Sequence, residues 1–542
     1  MGSRNPHVSA GSVEDSDRPA IQHDGWLTGA IHAGARRHPY RLSHSRPVCR
    51  EDPRRRHEDA AGDSNLLVRG HPDHRTHLQR LDRPVGGNHW RGPQLTAFFR
   101  RRPHLAWLIA FAALVAIVWL TATPFAWDND EAAHYGTSRD IYEAGGLPGG
   151  DEFPEIILPG TPFEDAGLGK YHSLPPTYYA ATALLFNLNP DAVGDYTPGL
   201  LAGRILSAVL YVLAVLLVYE FVRTLNGGRH LAAATTAAAC ALIPKMASIG
   251  GSFTADSFAL AAVTFLALAT VRAVQSRWTW RATFLVGLAA ALVLMSRPSA
   301  LPILFFPAII FFFHLPSGLA GWLQRGILMA ITTILPNSWW LVRNWRNLNG
   351  DLFGATTQVE YQYSLGLPYA TDEVFLFKAS ETGHSSIPEM ILKTDWLLRF
   401  NPRLWLSERY NDGSGLGMFL AAVFVALIVA ALVIAIRGAG RSPGRALQPA
   451  QRFVPLALLV VFLIAAVMTA NNNYVHGLYV IGRYAMPPAA LLLAATVGMT
   501  SRLDSPLGRY AVPAVAIVMV AVHITFWTGF MLPDLLRQIG PA

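Results

Sequence analysis

Long apolar stretches alternate with short polar ones from residue 104 almost to the end of the chain. The first, His104 to Thr123, has the length of a bilayer-crossing helix, which needs about 20 apolar residues. Further windows follow at 200–222, 231–248, 253–274, 282–296, 299–315, 322–341, 415–436, 453–470, 480–500 and 511–531. Together they predict an all-α, polytopic membrane protein of about eleven spans, with residues 103–542 as its membrane body.

The short connections give the bundle a direction. Alternate loops carry Arg223 and Arg229; Arg272, Arg277 and Arg281; Arg325; Arg437, Arg441, Arg445 and Arg452; then Arg502 and Arg509. Short arginine-bearing loops stay in the cytoplasm. The expected protein therefore sits in the cytoplasmic (inner) membrane, its N-terminus inside and its C-terminus outside. Two large loops, 124–199 and 342–414, fall on the outer face, as does the connection from Asn471 to Gly482.

Composition agrees: 52% hydrophobic and 15% charged residues exclude an ordinary soluble protein. The net charge of +8 would invite a nucleic-acid partner, but residues 1–102 alone hold 18 Arg against 11 acids. The membrane body is nearly neutral, so no nucleic acid is expected. That Arg- and His-rich tail has no apolar period and reads as disordered, with the natural start expected downstream.

The outer loops carry the chemistry. Directly after the first span stand Asp128, Asp130 and Glu131, then His134 one helical turn on. Crowded carboxylates can supply a general base, or oxygen ligands for a divalent cation such as Mg²⁺ or Mn²⁺, with Asp130 and Glu131 as the candidate ligands. A solvated acidic loop is the plainer alternative. Residues 175–188 form an apolar piece too short to span, read as an interfacial helix with Tyr178 and Tyr179 at headgroup level. On the same face, Arg204, Lys245, Arg343, Arg346 and Arg483 can grip a phosphate, or serve only as lipid contacts. Lys170 and His172 lie in the first loop. Asp256 reads as a carboxylate favoured at a helix N-terminus, and Arg297, before Pro298, as the end of a helix.

Several short elements, taken in order, resemble the GT-C superfamily of integral-membrane glycosyltransferases, the group holding lipid A aminoarabinose transferases and protein O-mannosyltransferases. They are Asp130-Glu131-Ala132-Ala133-His134-Tyr135, Pro175-Pro176-Thr177-Tyr178-Tyr179, Arg204-Ile205-Leu206-Ser207, Trp339-Trp340-Leu341-Val342-Arg343-Asn344 with Gly350-Asp351, and Gly482-Arg483-Tyr484-Ala485-Met486-Pro487. The likeness covers roughly 104–531 and is closest to a bacterial branch without an assigned reaction. Trp127-Asp128-Asn129 stands where a Pro-Pro often precedes the family's Asp-Glu.

The resemblance implies a GT-C-like bundle and a polyprenyl-phosphate sugar donor. It also implies transfer at the outer face to an envelope glycan, lipid or protein, with inversion of the anomeric carbon. Asp130 is then the first choice of base, Glu131 the second and Asp128 a third. Phosphate and substrate contacts fall to His134, Lys170, His172, Tyr178, Arg204, Lys245, Arg343, Arg346 and Arg483. The alternative from another class is a transporter or flippase of lipid-linked saccharides, which would place its ionisable residues near the bilayer midplane.

Overall fold

A computed structural model describes residues 102–123, 130–147, 171–188, 196–314, 318–354, 356–358, 386–393, 396–406, 415–437, 449–476, 482–503 and 506–539. Asp128, Lys170, the tail through residue 101 and much of the two outer loops lie outside them. Among the described residues the secondary structure is helical throughout, with no strand.

Among the described residues, each predicted window falls largely on helix. Six helices are long and apolar enough to cross a membrane, or up to seven if one bent pair counts as a single span. Three further apolar helices, Trp280–Leu294, Pro298–Phe312 and Met486–Thr500, are shorter than a bilayer needs, while the apolar helix Gly415–Arg437 runs 23 residues. The protein is a multi-pass membrane protein, but the count of eleven full spans is not reproduced among the described residues. Pro298 and Pro302 shape a 3₁₀ turn at the head of one short helix, and Pro487 and Pro488 sit at the head of another.

The bundle is organised on α4 (Tyr196–Leu225). Before it come α1 (Pro103–Ala122), α2 (Glu131–Glu143) and α3 (Thr177–Phe186); after it, α5 (His230–Ala241), α6 (Pro244–Gly251) and α7 (Asp256–Gln275). Helices α1, α5, α6 and α7 all pack on α4. The contact face of α7 is rich in alanine, with Ala259, Ala261, Ala262, Ala267, Ala269 and Ala273 buried. Small side chains let helices approach closely where lipid offers no hydrophobic drive between them.

The bent pair is α5 and α6, which meet at 72°. Ile243 is extended and Pro244 opens the second helix. A break inside a membrane frees carbonyls that need donors. Tyr211 donates its hydroxyl to the Ala241 carbonyl at 2.6 Å, and His523 Nδ1 donates to the Leu242 carbonyl at 2.9 Å. Trp119 Nε1 points at the other ring nitrogen of His523, 3.4 Å away, which agrees with the proton residing on Nδ1. The turn also delivers residues 252–255 to the start of α4, where Gly203 leaves room for the Phe253 ring.

Arginines from three of the arginine-bearing connections meet at the far end of α4. There Arg223 and Arg272 pair with Glu220 at 2.6 and 2.9 Å, and Arg502 donates to the Leu225 carbonyl at 3.0 Å. Arg204 lies near the opposite end of the same helix, about 28 Å away at 1.5 Å per residue.

Later elements close the site end. Helix α8 (Trp396–Trp405) buries Trp396, Phe400 and Leu404, one face of an amphipathic helix in the second outer loop, and its Trp396 Nε1 donates to Asn473 at 2.9 Å. The 3₁₀ turn Gly482–Tyr484 packs on α8, and a Cβ on Gly482 would stand 2.3 Å from the Arg403 carbonyl carbon.

Gly482→Ala should therefore overpack that contact, a class of change costing about 1–3 kcal/mol. Gly415→Ala is the control, since nothing lies within 4 Å of its Cβ position. Unfolding midpoints in detergent should fall for the first substitution and hold for the second.

Candidate active site

Glu131 and Arg204 form the buried foundation of the site. Arg204 grips the carboxylate with both arms of its fork, Nε to Oε1 at 2.8 Å and Nη2 to Oε2 at 2.6 Å, and the Glu131 side chain has no exposed surface. The Phe253 N–H also donates to Oε1, at 2.7 Å. Arg204 Nη1 donates to the Leu120 and Thr123 carbonyls at 3.0 and 2.9 Å, capping the end of α1. One ion pair thus ties together α1, α2, α4 and the segment brought in by the broken helix.

Asp130 stands at the N-cap of α2 in the left-handed region, φ 56°. Aspartate and asparagine visit that region more readily than other residues with a Cβ. Its Oδ2 accepts from the Tyr171 hydroxyl at 2.9 Å and from Arg483 Nη2 at 2.5 Å. Arg483 Nε lies 3.4 Å from Asp256 Oδ2, and Arg297 Nη1 donates to Asp256 Oδ1 at 2.7 Å. The result is an alternating chain, Asp130–Arg483–Asp256–Arg297, drawn from four separate parts of the sequence. Tyrosine rings flank it: the Arg297 guanidinium is 5.3 Å from the Tyr171 ring centre, and that of Arg483 is 5.6 Å from Tyr484. Burial by itself would raise the pKa of Asp130, but Arg483 and Arg297 outweigh it and hold the carboxyl below its ordinary range.

His134 lies behind this chain, buried. Its Nδ1 is 3.1 Å from the Tyr179 hydroxyl and its Nε2 3.2 Å from Thr254 Oγ1. The ring stacks on Tyr179 at 5.6 Å. Burial, then the charge of Arg297, pushes its pKa down to about 3, so it is a neutral hydrogen-bonding spacer at neutral pH. Tyr178 and Tyr179 are each 1% exposed. The Tyr178 hydroxyl meets Ser207 at 2.8 Å and donates to the Gly203 carbonyl at 3.2 Å. These tyrosines face inward, because α3 packs against α2 and α4 and their hydroxyls find partners there. Burial raises both phenol pKa values, so they stay protonated.

The remaining expected residues are more dispersed. His172 Nε2 pairs with Asp140 at 2.9 Å, and Lys245 is fully buried in α6. In the helix Ser338–Asn347, Arg343 is half-buried and donates to Asn344 at 2.9 Å, whereas Arg346 is exposed. Asn344 in turn donates to the Ser173 carbonyl at 3.1 Å, which fastens this helix to the segment bearing Tyr171. The structure therefore gathers Asp130, Glu131, His134, Tyr178, Arg204 and Arg483. It adds Asp256 and Arg297, each of which reads from the sequence alone as a residue at a helix end. Their signal was present: each is an ionisable residue at the same end of an otherwise apolar segment.

A divalent cation does not fit the Asp130–Glu131 pair as it is arranged here. Both Glu131 oxygens are engaged by Arg204, one Asp130 oxygen is engaged by Arg483, and Arg297 adds a further positive charge. Among the described residues, no group of three or more His, Cys, Asp or Glu could hold a metal ion.

Residues 176–340 match the family model for dolichyl-phosphate-mannose-protein mannosyltransferase, PMT_2. The match covers less than a third of the chain and is a likeness to that family over this segment. The matched segment contains Tyr178, Arg204, Lys245, Asp256 and Arg297, while Asp130 and Arg483 flank it on either side. No curated protein matches the chain. Among solved structures, the oligosaccharyltransferase AglB from Archaeoglobus fulgidus, in complex with an inhibitory peptide and a dolichol-phosphate, is 15% identical with a TM-score of 0.44. That likeness covers 80% of this chain and 56% of AglB. ArnT from Cupriavidus metallidurans, bound to undecaprenyl phosphate, is also 15% identical with a TM-score of 0.32, covering 73% of this chain and 78% of ArnT. The chain thus spans little more than half the length of AglB, and neither likeness is close enough to assign a reaction.

Breaking the foundation pair should be costly. Arg204→Met leaves a buried, uncompensated carboxylate, a change worth about 3–5 kcal/mol, whereas Glu131→Leu with Arg204→Met removes both charges and should recover part of the loss. Thermal midpoints of the single and double variants in detergent test this order.

Proposed function

We propose that this chain moves a sugar from a polyprenyl-phosphate donor to an acceptor of the cell envelope, a glycan, lipid or protein. The transfer takes place on the outer face of the cytoplasmic membrane, with the N-terminal end of α1 inside. The observation that carries this reading is Asp130: a carboxylate with an exposed edge, set against Arg483 and Arg297 at one end of a membrane bundle. The description of the matched family supplies the donor class.

The chemistry follows from those groups. An acceptor hydroxyl or amine gives its proton to an Asp130 oxygen as its own oxygen or nitrogen bonds to the anomeric carbon. The bond from that carbon to the phosphate oxygen breaks, and its electron pair leaves with the prenyl phosphate. Attack opposite the leaving group inverts the anomeric carbon. Arg483 and Arg297 stand where charge accumulates on the departing phosphate. Glu131, locked by Arg204, is a positioning residue in this scheme: it sets the start of α2 and so the placement of Asp130. His134, neutral and enclosed, holds Tyr179 and Thr254 in register behind the charged chain.

The transporter alternative requires charges near the bilayer centre between broken helices. Here the ion-pair chain, Glu131 and Arg204 all gather at one end of α4, with Glu220 and its arginines at the other, which favours surface chemistry.

Asp130→Asn should lower label transfer from a prenyl-phosphate sugar by about 10²–10⁴-fold, the usual contribution of a general base. The assay follows radiolabel leaving the lipid in the presence of envelope extract, with the thermal midpoint checking the fold. Full transfer by a folded variant would overturn the assignment.

A further inference from the structure

The four members of the ion-pair chain are not equally enclosed. The side chains of Arg483, Asp256 and Arg297 are 2%, 8% and 4% exposed, whereas Asp130 is 34% exposed. Asp256 is anchored: it takes Arg297 at 2.7 Å and Thr254 Oγ1 at 3.3 Å, and its helix begins there. Asp130 is at the rim, and the Tyr171 hydroxyl also holds it at 2.9 Å.

Two carboxylates and two guanidinium groups balance in charge. A further anion entering this cluster competes with the resident acids for the two cations, and the acid placed to give one up is the one at the rim. A guanidinium binds carboxylate and phosphate oxygens through the same planar fork, so the exchange needs no new kind of contact. We propose that Asp130 is an internal substitute for the donor's phosphate. It occupies Arg483 in the resting protein, and an arriving prenyl phosphate takes Arg483 over and releases the carboxylate for the acceptor's proton. This rests on the transferase reading and explains a tension within it. A carboxylate clamped to arginine is a poor base, and binding of the donor removes the clamp when the base is required.

The consequence runs against the usual effect of removing an active-site residue. Asp130→Asn takes away the competing anion and should tighten binding of a prenyl monophosphate, here undecaprenyl phosphate titrated into purified protein in detergent. An increase in affinity of about tenfold is expected, at the lower end of close charge-pair couplings. Asparagine tolerates the left-handed backbone at this position, and Asp130→Gly offers a second variant that accepts φ 56° without strain. Arg483→Gln should weaken binding, and adding Asp130→Asn to it should give no gain, since the contested cation is gone. Unchanged or weaker binding by folded Asp130→Asn and Asp130→Gly, beside a wild type that binds and transfers sugar, overturns the exchange and leaves the transferase standing. A wild type that binds no prenyl phosphate overturns both.

Discussion

The site depends on the ion pair between Glu131 and Arg204. Removing two charges from water is expensive, and their mutual attraction repays it only when the remaining donors and acceptors are satisfied. Here they are: the carboxylate takes both arms of the guanidinium and the Phe253 N–H, while the guanidinium also serves two carbonyls at the end of α1. Breaking any one of these contacts would strand another group in an apolar surrounding. The pair consequently fixes the orientation of α2, and with it the direction in which Asp130 projects.

Immediately beside this closed pair lies a more open one. Glu131 and Asp130 are neighbours in sequence with opposite fates, because the left-handed turn at Asp130 sends the two carboxylates different ways. One is enclosed and fully matched, the other reaches the rim and meets Arg483 from the far end of the chain. The division separates architecture from chemistry within a single dipeptide.

Much of this was legible in the sequence. Apolar length gave the membrane helices, and acidic residues at the mouth of a span marked Asp130 and Glu131, because ionisable groups are rarely left there without a role. Arg204 and Arg483 were legible as cations on the same face. What sequence could not assign was pairing: that Arg204 belongs to Glu131 and Arg483 to Asp130 is set by helix packing over separations of 73 and 353 residues. The pairing of Asp256 with Arg297 is hidden from the sequence for a related reason. Each has a sufficient local explanation at a helix end, and their 2.7 Å contact arises only when α7 and the Pro298 turn are brought together. That Tyr178 and Tyr179 are enclosed emerges only once α3 is seen packed into the bundle.

The break between α5 and α6 has a consequence for how this region tolerates change in length. Each residue of a helix turns everything after it by about 100°. A single insertion or deletion in α6 would rotate Phe253 and Thr254 away from Glu131 and His134, although neither residue itself had changed. Loops at the arginine-bearing end carry no such phase requirement. Natural variation in chain length should accumulate there and be absent between Pro244 and Asp256.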